Sequence, residues 1–289
     1  MVGGREILVG GTKKGNNGIR NTVQAALMAI YRFWCSSGMS QTVFGRWVFE
    51  AAYDLYKETV EARNIDALRQ YVDEGKLVFD VGANTGFFTR RFAKWVGETG
   101  KVVAIEPEHL NFHRLSERLS RYGIGERVSC IRAVAAEKAG ELMLNINPNH
   151  PGDHRIGLDG VPVSAVTLDG LAEKEEWKPV TFIKIDVQGA EMRVLKGCEE
   201  ILSRFSPALF VELDEQALKA QGDSVSALLD FLTSRNYRAH QLEKDGCFKL
   251  IERDGVLNVV NQPDVYIDFL FLPDRKKTDG NGGEKVTEG

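Results

Sequence analysis

Leu77-Val-Phe-Asp-Val-Gly-Ala-Asn-Thr-Gly-Phe-Phe-Thr89 is the stretch that decides the fold. An apolar run, Leu77 to Phe79, climbs to Asp80, and glycines follow at Gly82 and Gly86. An apolar, helix-compatible segment then runs from Phe87 through Trp95. The order reads as strand, tight turn, helix. Glycine in such a turn lets a ligand approach the backbone closely. The helix behind it offers free N–H groups and the positive end of its dipole.

Downstream, strand and helix patterns alternate. Lys101–Ile105 reads as a second strand ending at Glu106-Pro107. His109–Tyr122 is a helix stopped by Gly123, and Val128–Arg132 is a third strand. Glu141–Ile146 and Val161–Val166 are two extra strands around a loop, 147–160, rich in Pro, Gly, Asn and His. Phe182–Ile185 is the next central strand and ends at Asp186; Glu191–Phe205 reads as helical. Ala208–Leu213 and Tyr237–Leu242 are strands on either side of a helix at Val225–Arg235. Cys247–Ile251 and Val265–Leu272 close the sheet as late or antiparallel strands. Such alternation predicts an α/β fold, a doubly wound and mostly parallel sheet covered on both faces.

Upstream, residues 1–18 are glycine-rich and basic and read as a flexible N-terminus. Helical periodicity over Ile19–Cys35, about Thr42–Val60 and Ile65–Tyr71 predicts an N-terminal helical extension, residues 19–75. It would pack on the sheet edge, cover the ligand, or form a surface for substrate or for a homo-oligomer. The sheet domain then spans 76–274, and the polar, glycine-rich 275–289 reads as a disordered tail.

Composition narrows the function. The 289 residues carry a net charge of -4, so the overall field does not favour nucleic acid. Four cysteines, Cys35, Cys130, Cys198 and Cys247, contain no CxxC pair, which disfavours structural zinc and suits a reducing compartment. Arg5, Lys13 and Lys14 interrupt any signal peptide, and the apolar segment from Ile19 to Trp34 is too short and too polar for a transmembrane helix. The expected location is cytoplasmic.

In open α/β sheets the ligand sits outside the carboxyl ends of the strands. The first turn there is Gly82-x-Asn84-x-Gly86, not G-x-G-x-x-G: Asn84 and Phe87 stand where that fingerprint needs glycine. A pyrophosphate cradle, and with it an NAD-dependent dehydrogenase, is disfavoured. Glu106, 20 residues after Gly86, ends the second strand, where a carboxylate can take both hydroxyls of a ribose. A nucleoside site without a phosphate fingerprint points to S-adenosylmethionine.

Three stretches resemble the FkbM-type S-adenosylmethionine-dependent methyltransferases: Phe79-Asp-Val-Gly-Ala-Asn-Thr-Gly86, Ile105-Glu-Pro-Glu108 and Ile183-Lys-Ile-Asp-Val-Gln-Gly-Ala-Glu-Met-Arg-Val-Leu-Lys-Gly197. The resemblance covers about residues 75–240 and implies the Rossmann-like sheet of class I methyltransferases. It also implies that Asp80, Gly82 and the Ala83, Asn84, Thr85 and Gly86 backbone hold the methionine moiety. Glu106 would hold the ribose, Ala133 and Val134 would line the adenine pocket, and Asp186 would face the reacting methyl group. Gln188 departs from the family, which usually has glutamate there; the amide keeps hydrogen bonding and loses a charge.

A hydroxyl nucleophile needs a base or a metal ion. Asp186 is one catalytic candidate, against a role as a helix cap. His154, in Gly152-Asp-His-Arg155 of the inserted loop, is a second, against a solvated loop histidine. Arg155 would bind an anionic group or pair with Asp153. Asp186 with Glu212 forms a weaker candidate for an Mg2+ site. His109 and His113 lack a third ligand. The expected reaction is methyl transfer to a hydroxyl of a small molecule, sugar (glycan) or lipid-linked natural product. N-methylation and a non-catalytic S-adenosylmethionine-binding subunit are the alternatives.

Overall fold

All five residues of the strand Leu77–Val81 are buried, which a strand achieves only when both faces of its sheet are covered. A computed structural model of the protein describes residues 65–147, 154–243, 246–262 and 265–274. The proposed flexible N-terminus, most of the proposed helical extension and the proposed tail lie outside the described residues. From Asp66 a 3-10 turn, Asp66–Tyr71, leads into the sheet.

In chain order the elements are β1 (Leu77–Val81), α1 (Phe87–Trp95), β2 (Lys101–Ile105), α2 (His109–Arg121), β3 (Val128–Ile131) and β4 (Val134–Ala135). There follow β5 (Gly140–Asn145), β6 (Arg155–Gly157), β7 (Val161–Val166), α3 (Leu168–Lys174) and β8 (Val180–Ile185). Next come α4 (Glu191–Lys196), α5 (Glu199–Phe205), β9 (Ala208–Leu213), α6 (Glu215–Ala220) and α7 (Val225–Thr233). The last are β10 (Tyr237–Leu242), β11 (Phe248–Leu250), α8 (Arg253–Val260) and β12 (Ile267–Pro273).

The main sheet has eight strands in the order β11-β10-β12-β9-β8-β1-β2-β3. β1 pairs in parallel with both β2 and β8, so the strand order reverses beside β1. β12 inserts antiparallel between β9 and β10. Alternate residues serve opposite layers, as the two-residue period of a strand requires. Leu77, Phe79, Ile183, Val211 and Phe269 join one core with Met192, Ile201 and Leu228; Val78, Phe182 and Phe210 join the other with Leu68, Phe92 and Leu115. The result is the predicted mostly parallel sheet with helices on both faces.

The two extra strands are both present, and with β4 and β6 they form a separate four-stranded sheet, β4-β7-β5-β6. Two expectations need correction. The 147–160 loop contains β6, which pairs antiparallel with β5. The helical stretch Glu191–Phe205 is not continuous but two helices. A β-carbon on Gly197 would stand 2.1 Å from the Ala136 carbonyl oxygen, so the chain bends where this backbone passes. The new helix, α5, is then capped from a distance: the Asp169 carboxylate accepts from the N–H groups of Glu200 and Ile201. Helices α3, α6 and α8 are not legible in the sequence because six to eight residues hardly display a 3.6-residue period. Among the described residues no helix is long and apolar enough to cross a membrane.

Candidate active site

Where β1 ends, the backbone turns through two left-handed glycines, Gly82 (φ 74°) and Gly86 (φ 89°), with Asn84 (φ 48°) between them. The Gly82 and Ala83 N–H groups both donate to the Ile105 carbonyl at 3.0 Å, locking the turn to the end of β2. The space beside Gly82 is filled by the chain itself: its missing β-carbon would lie 1.9 Å from the Asp186 carbonyl oxygen. Gly86 is similarly close to Leu115, at 2.7 Å. Both glycines thus serve the approach of protein to protein, a different reason from the ligand approach expected from the sequence.

Glu106 is 4 % exposed and reaches back to the turn. Its Oε2 accepts from the Asn84 N–H at 2.8 Å and its Oε1 from the Glu108 N–H at 3.0 Å. Burial pushes its pKa up to about 7, against the pull of those two amides. Each oxygen keeps a second lone pair, the arrangement that a pair of vicinal hydroxyls requires. Glu108 caps α2 through the Leu110 and Asn111 N–H groups.

Asp80 stands behind the turn, fully buried. Its Oδ2 accepts from the Thr89 hydroxyl at 2.5 Å and its Oδ1 lies 3.6 Å from the Lys184 ammonium. Burial raises its pKa above the ordinary aspartate value, against the opposing pull of Lys184 and Thr89. Lys184, 3 % exposed, also lies 3.3 Å from Asp186 Oδ2 and donates to the Val81 and Gly82 carbonyls. Burial works against its charge, but the Asp186 and Asp80 carboxylates outweigh it and raise the lysine pKa. Sequence reasoning does not single out this cation. Its signal is the lysine of the Ile183-Lys-Ile-Asp186 stretch, on an otherwise apolar strand.

At the ends of β8 and β9, Gln188 joins two carboxyl groups. Its backbone is left-handed (φ 53°), and its amide donates to Glu212 Oε2 at 2.9 Å and to Asp186 Oδ1 at 3.4 Å. Burial and the nearby carboxylates, Asp186 foremost, raise the Glu212 pKa well above the ordinary glutamate range. Glu191 accepts from the Gly189 N–H, and burial pushes its pKa up to about 7. The expected magnesium between Asp186 and Glu212 does not fit this donor set. The Gln188 amide presents hydrogens, not lone pairs, between the two carboxyl groups. Among the described residues no cluster of three or more His, Cys, Asp or Glu side chains is placed to hold a metal ion.

One cleft joins most of these residues. It is an open cleft, whose empty space together with the solvent at its mouth comes to about 660 Å³. Gly82, Asn84, Glu106, Ala133, Val134, His154 and Asp186 line it together, with Gln188. The apolar side chains of Ile105, Leu144 and Ile156 complete its walls. The other expected residues lie behind: Ala83 is buried in the core, Thr85 is held by the Arg118 guanidinium, and Gly86 opens α1. Leu144, Ile156 and His154 come from the small sheet and its margin. The His154 Nδ1 accepts from the Asn147 N–H at 3.2 Å. Gln221, just past α6, donates to the Ile156 carbonyl at 2.8 Å, tying this outer strand to the main body.

Known proteins bear on the same region. The hexuronic acid methyltransferase AglP of Haloferax volcanii is 28% identical over 140 residues, 48% of this chain and 56% of that protein. The methyltransferase sdnD of Sordaria araneosa is 27% identical over 159 residues, 43% of this chain and 60% of that one. The chain thus spans less than two thirds of the length of either relative. A crystal structure of methyltransferase FkbM from Methylobacillus flagellatus aligns with a TM-score of 0.44 at 18% identity, covering 68% of this chain and 43% of that one. The family model for the methyltransferase FkbM domain matches residues 80–239, over half of the chain and every residue that lines the cleft, and the protein belongs to that family.

Proposed function

We propose that the protein transfers a methyl group from S-adenosylmethionine to a hydroxyl of a small molecule, sugar or lipid-linked natural product. The observation that carries this reading is the meeting of Glu106 and Asp186 in one cleft where the strand order reverses, the place at which open α/β sheets take their ligands. Membership of the FkbM family supports the chemistry. The Haloferax relative, named for its action on a hexuronic acid, supports a sugar acceptor.

The residues present fit the donor. Glu106 offers two oxygens to a ribose diol, and Ala133 and Val134 offer an apolar wall for a base. The turn at Gly82 and Asn84, with Asp80 and Lys184 behind it, borders the methionine end. When bound, S-adenosylmethionine supplies a methyl group already activated on a sulfonium. The protein then has to align the acceptor oxygen and remove its proton. Asp186 is the group that takes the proton. Its side chain is 35% exposed at the cleft floor, and Gln188 and Lys184 hold its two oxygens in place.

The test uses purified full-length protein, S-adenosylmethionine with a labelled methyl group, and a panel of glycosides, simple alcohols and amines. Label transfer to a hydroxyl, with S-adenosylhomocysteine as co-product, is expected. Labelling confined to amines would overturn the oxygen assignment. Failure to bind S-adenosylhomocysteine in a calorimeter would overturn the cofactor assignment.

A further inference from the structure

Gln188 lines the cleft beside Asp186, and its amide spans two strand ends. Its Nε2 lies 2.9 Å from Glu212 Oε2 and 3.4 Å from Asp186 Oδ1. Those two contacts decide which way round the amide sits. An amide nitrogen carries two hydrogens, and here two carboxyl oxygens receive them. The reverse orientation would set the amide oxygen, which has only lone pairs, against the same two oxygens. Even with a proton on Glu212, the ionised Asp186 requires the nitrogen on this side.

The amide oxygen is thereby turned away from both carboxyl groups. Among the described residues no group donates to Gln188 Oε1. Nor is this oxygen sealed from solvent, as the Glu191 Oε2 is. The open polar atom of Gln188 is therefore an acceptor with two lone pairs, on a side chain that lines the cleft. Nε2 and Oε1 share one carbon, so this acceptor stands close to the Asp186 carboxylate.

The two groups ask different things of a substrate. Asp186 takes a proton. An amide oxygen is a good hydrogen-bond acceptor and a very weak base, so it leaves the proton on its donor. A molecule with one isolated hydroxyl satisfies only the first; hydroxyls on adjacent carbons satisfy both.

We infer that Gln188 sets acceptor specificity: its Oε1 receives a hydrogen bond from the hydroxyl next to the one that is methylated, and the preferred substrate is a vicinal diol. This rests on the methyl-transfer reading above, with Asp186 as base. The reacting oxygen bonds to the methyl carbon as the carbon–sulfur bond breaks. Its proton goes to Asp186, and the neighbouring O–H stays whole.

The test uses full-length protein, S-adenosylmethionine with a labelled methyl group, and matched pairs of acceptors. Methyl hexosides, cyclic vicinal diols and catechol are each compared with the counterpart that lacks the hydroxyl beside the reacting one. Wild type is expected to favour the diol about tenfold in kcat/KM, the size of one lost hydrogen bond. Gln188→Met, similar in length and without an amide, should bring the ratio close to unity. Gln188→Glu keeps an oxygen in place of Oε1 and should retain the preference while turning over more slowly. The ratio is taken within each variant, so a general loss through a displaced Asp186 cancels. Equal use of both members of a pair by wild type, or an undiminished preference in Gln188→Met, would overturn the inference and leave methyl transfer standing. Label reaching no hydroxyl would overturn the methyl-transfer reading, and this inference with it.

Discussion

The Asp186 carbonyl oxygen occupies the place where Gly82 would carry a β-carbon, 1.9 Å from it. The ends of β1 and β8 therefore meet without a side chain between them. Gly82 is also in the left-handed region, at φ 74°. Gly82→Ala should destabilise the fold by about 2–4 kcal/mol, combining the clash with the backbone strain. Urea unfolding measures this. A variant as stable as wild type, with weakened binding of S-adenosylhomocysteine, would show instead that the glycine serves only the ligand.

Cofactor binding should depend on pH through Glu106. Burial raises its pKa from 4.5 to about 7. The protonated form is therefore favoured in the folded protein, and the stability contributed by this group, complete below about pH 4.5, is lost as pH rises through about 7. Ribose hydroxyls donate best to the ionised form. Affinity for S-adenosylhomocysteine should accordingly fall as pH drops below about 7, by up to about tenfold per unit. Calorimetry near pH 6.5 in buffers of different ionisation enthalpy should register proton release on binding. Glu106→Gln should bind more weakly and without that pH dependence; an unchanged pH dependence would remove Glu106 from the ribose site.

Lys184 neutralises two carboxylates at once. Lys184→Met leaves Asp80 buried without its cation and should cost about 3–5 kcal/mol. Adding Asp80→Asn should recover part of that loss, because the uncompensated charge disappears. Chemical denaturation of the two single variants and the double variant measures the coupling. Additive losses would mean that the pair does not interact.

Asp186→Asn keeps a similar shape and cannot accept the substrate proton. The expected loss in kcat is about 10²- to 10⁴-fold, with affinity for S-adenosylhomocysteine little changed. Retained turnover would transfer the base role to another group, with Glu212, on the same Gln188 amide, next in line.

Gln221 reaches the cleft wall through the Ile156 carbonyl. Gln221→Ala should raise the acceptor KM by about three- to tenfold, the effect of one lost hydrogen bond, and leave affinity for S-adenosylhomocysteine intact. Equal weakening of both ligands would mean that the small sheet does not form a separate acceptor wall.

Much of the architecture is legible in the sequence because it is local. Leu77–Phe79 is an apolar run leading to Asp80 and the glycine turn, and such a run reads as a central strand. Glu106 is legible from its place at the next strand end. Features set by distant parts of the chain are not. Gly197 resembles an ordinary helical glycine until Ala136, 61 residues earlier, passes against it. Lys184 looks exposed in composition terms, and its partner Asp80 lies on another strand. The left-handed turn at Gln188 depends on tertiary packing, since glutamine has no intrinsic preference for it. His154 can be placed near the site by the character of its loop, but which nitrogen holds the proton depends on a backbone amide seven residues away.

The hydrogen bond between Asn147 and His154 has an evolutionary consequence. Six residues, 148–153, lie between the two, and the hairpin is already pinned at their base. Lengthening a chain segment between two joined ends adds only about 0.6 kcal/mol of closure entropy per doubling. The intervening sequence can therefore change in length and composition while the β5–β6 pairing, Glu106, Asp186 and the sheet beneath them keep their positions.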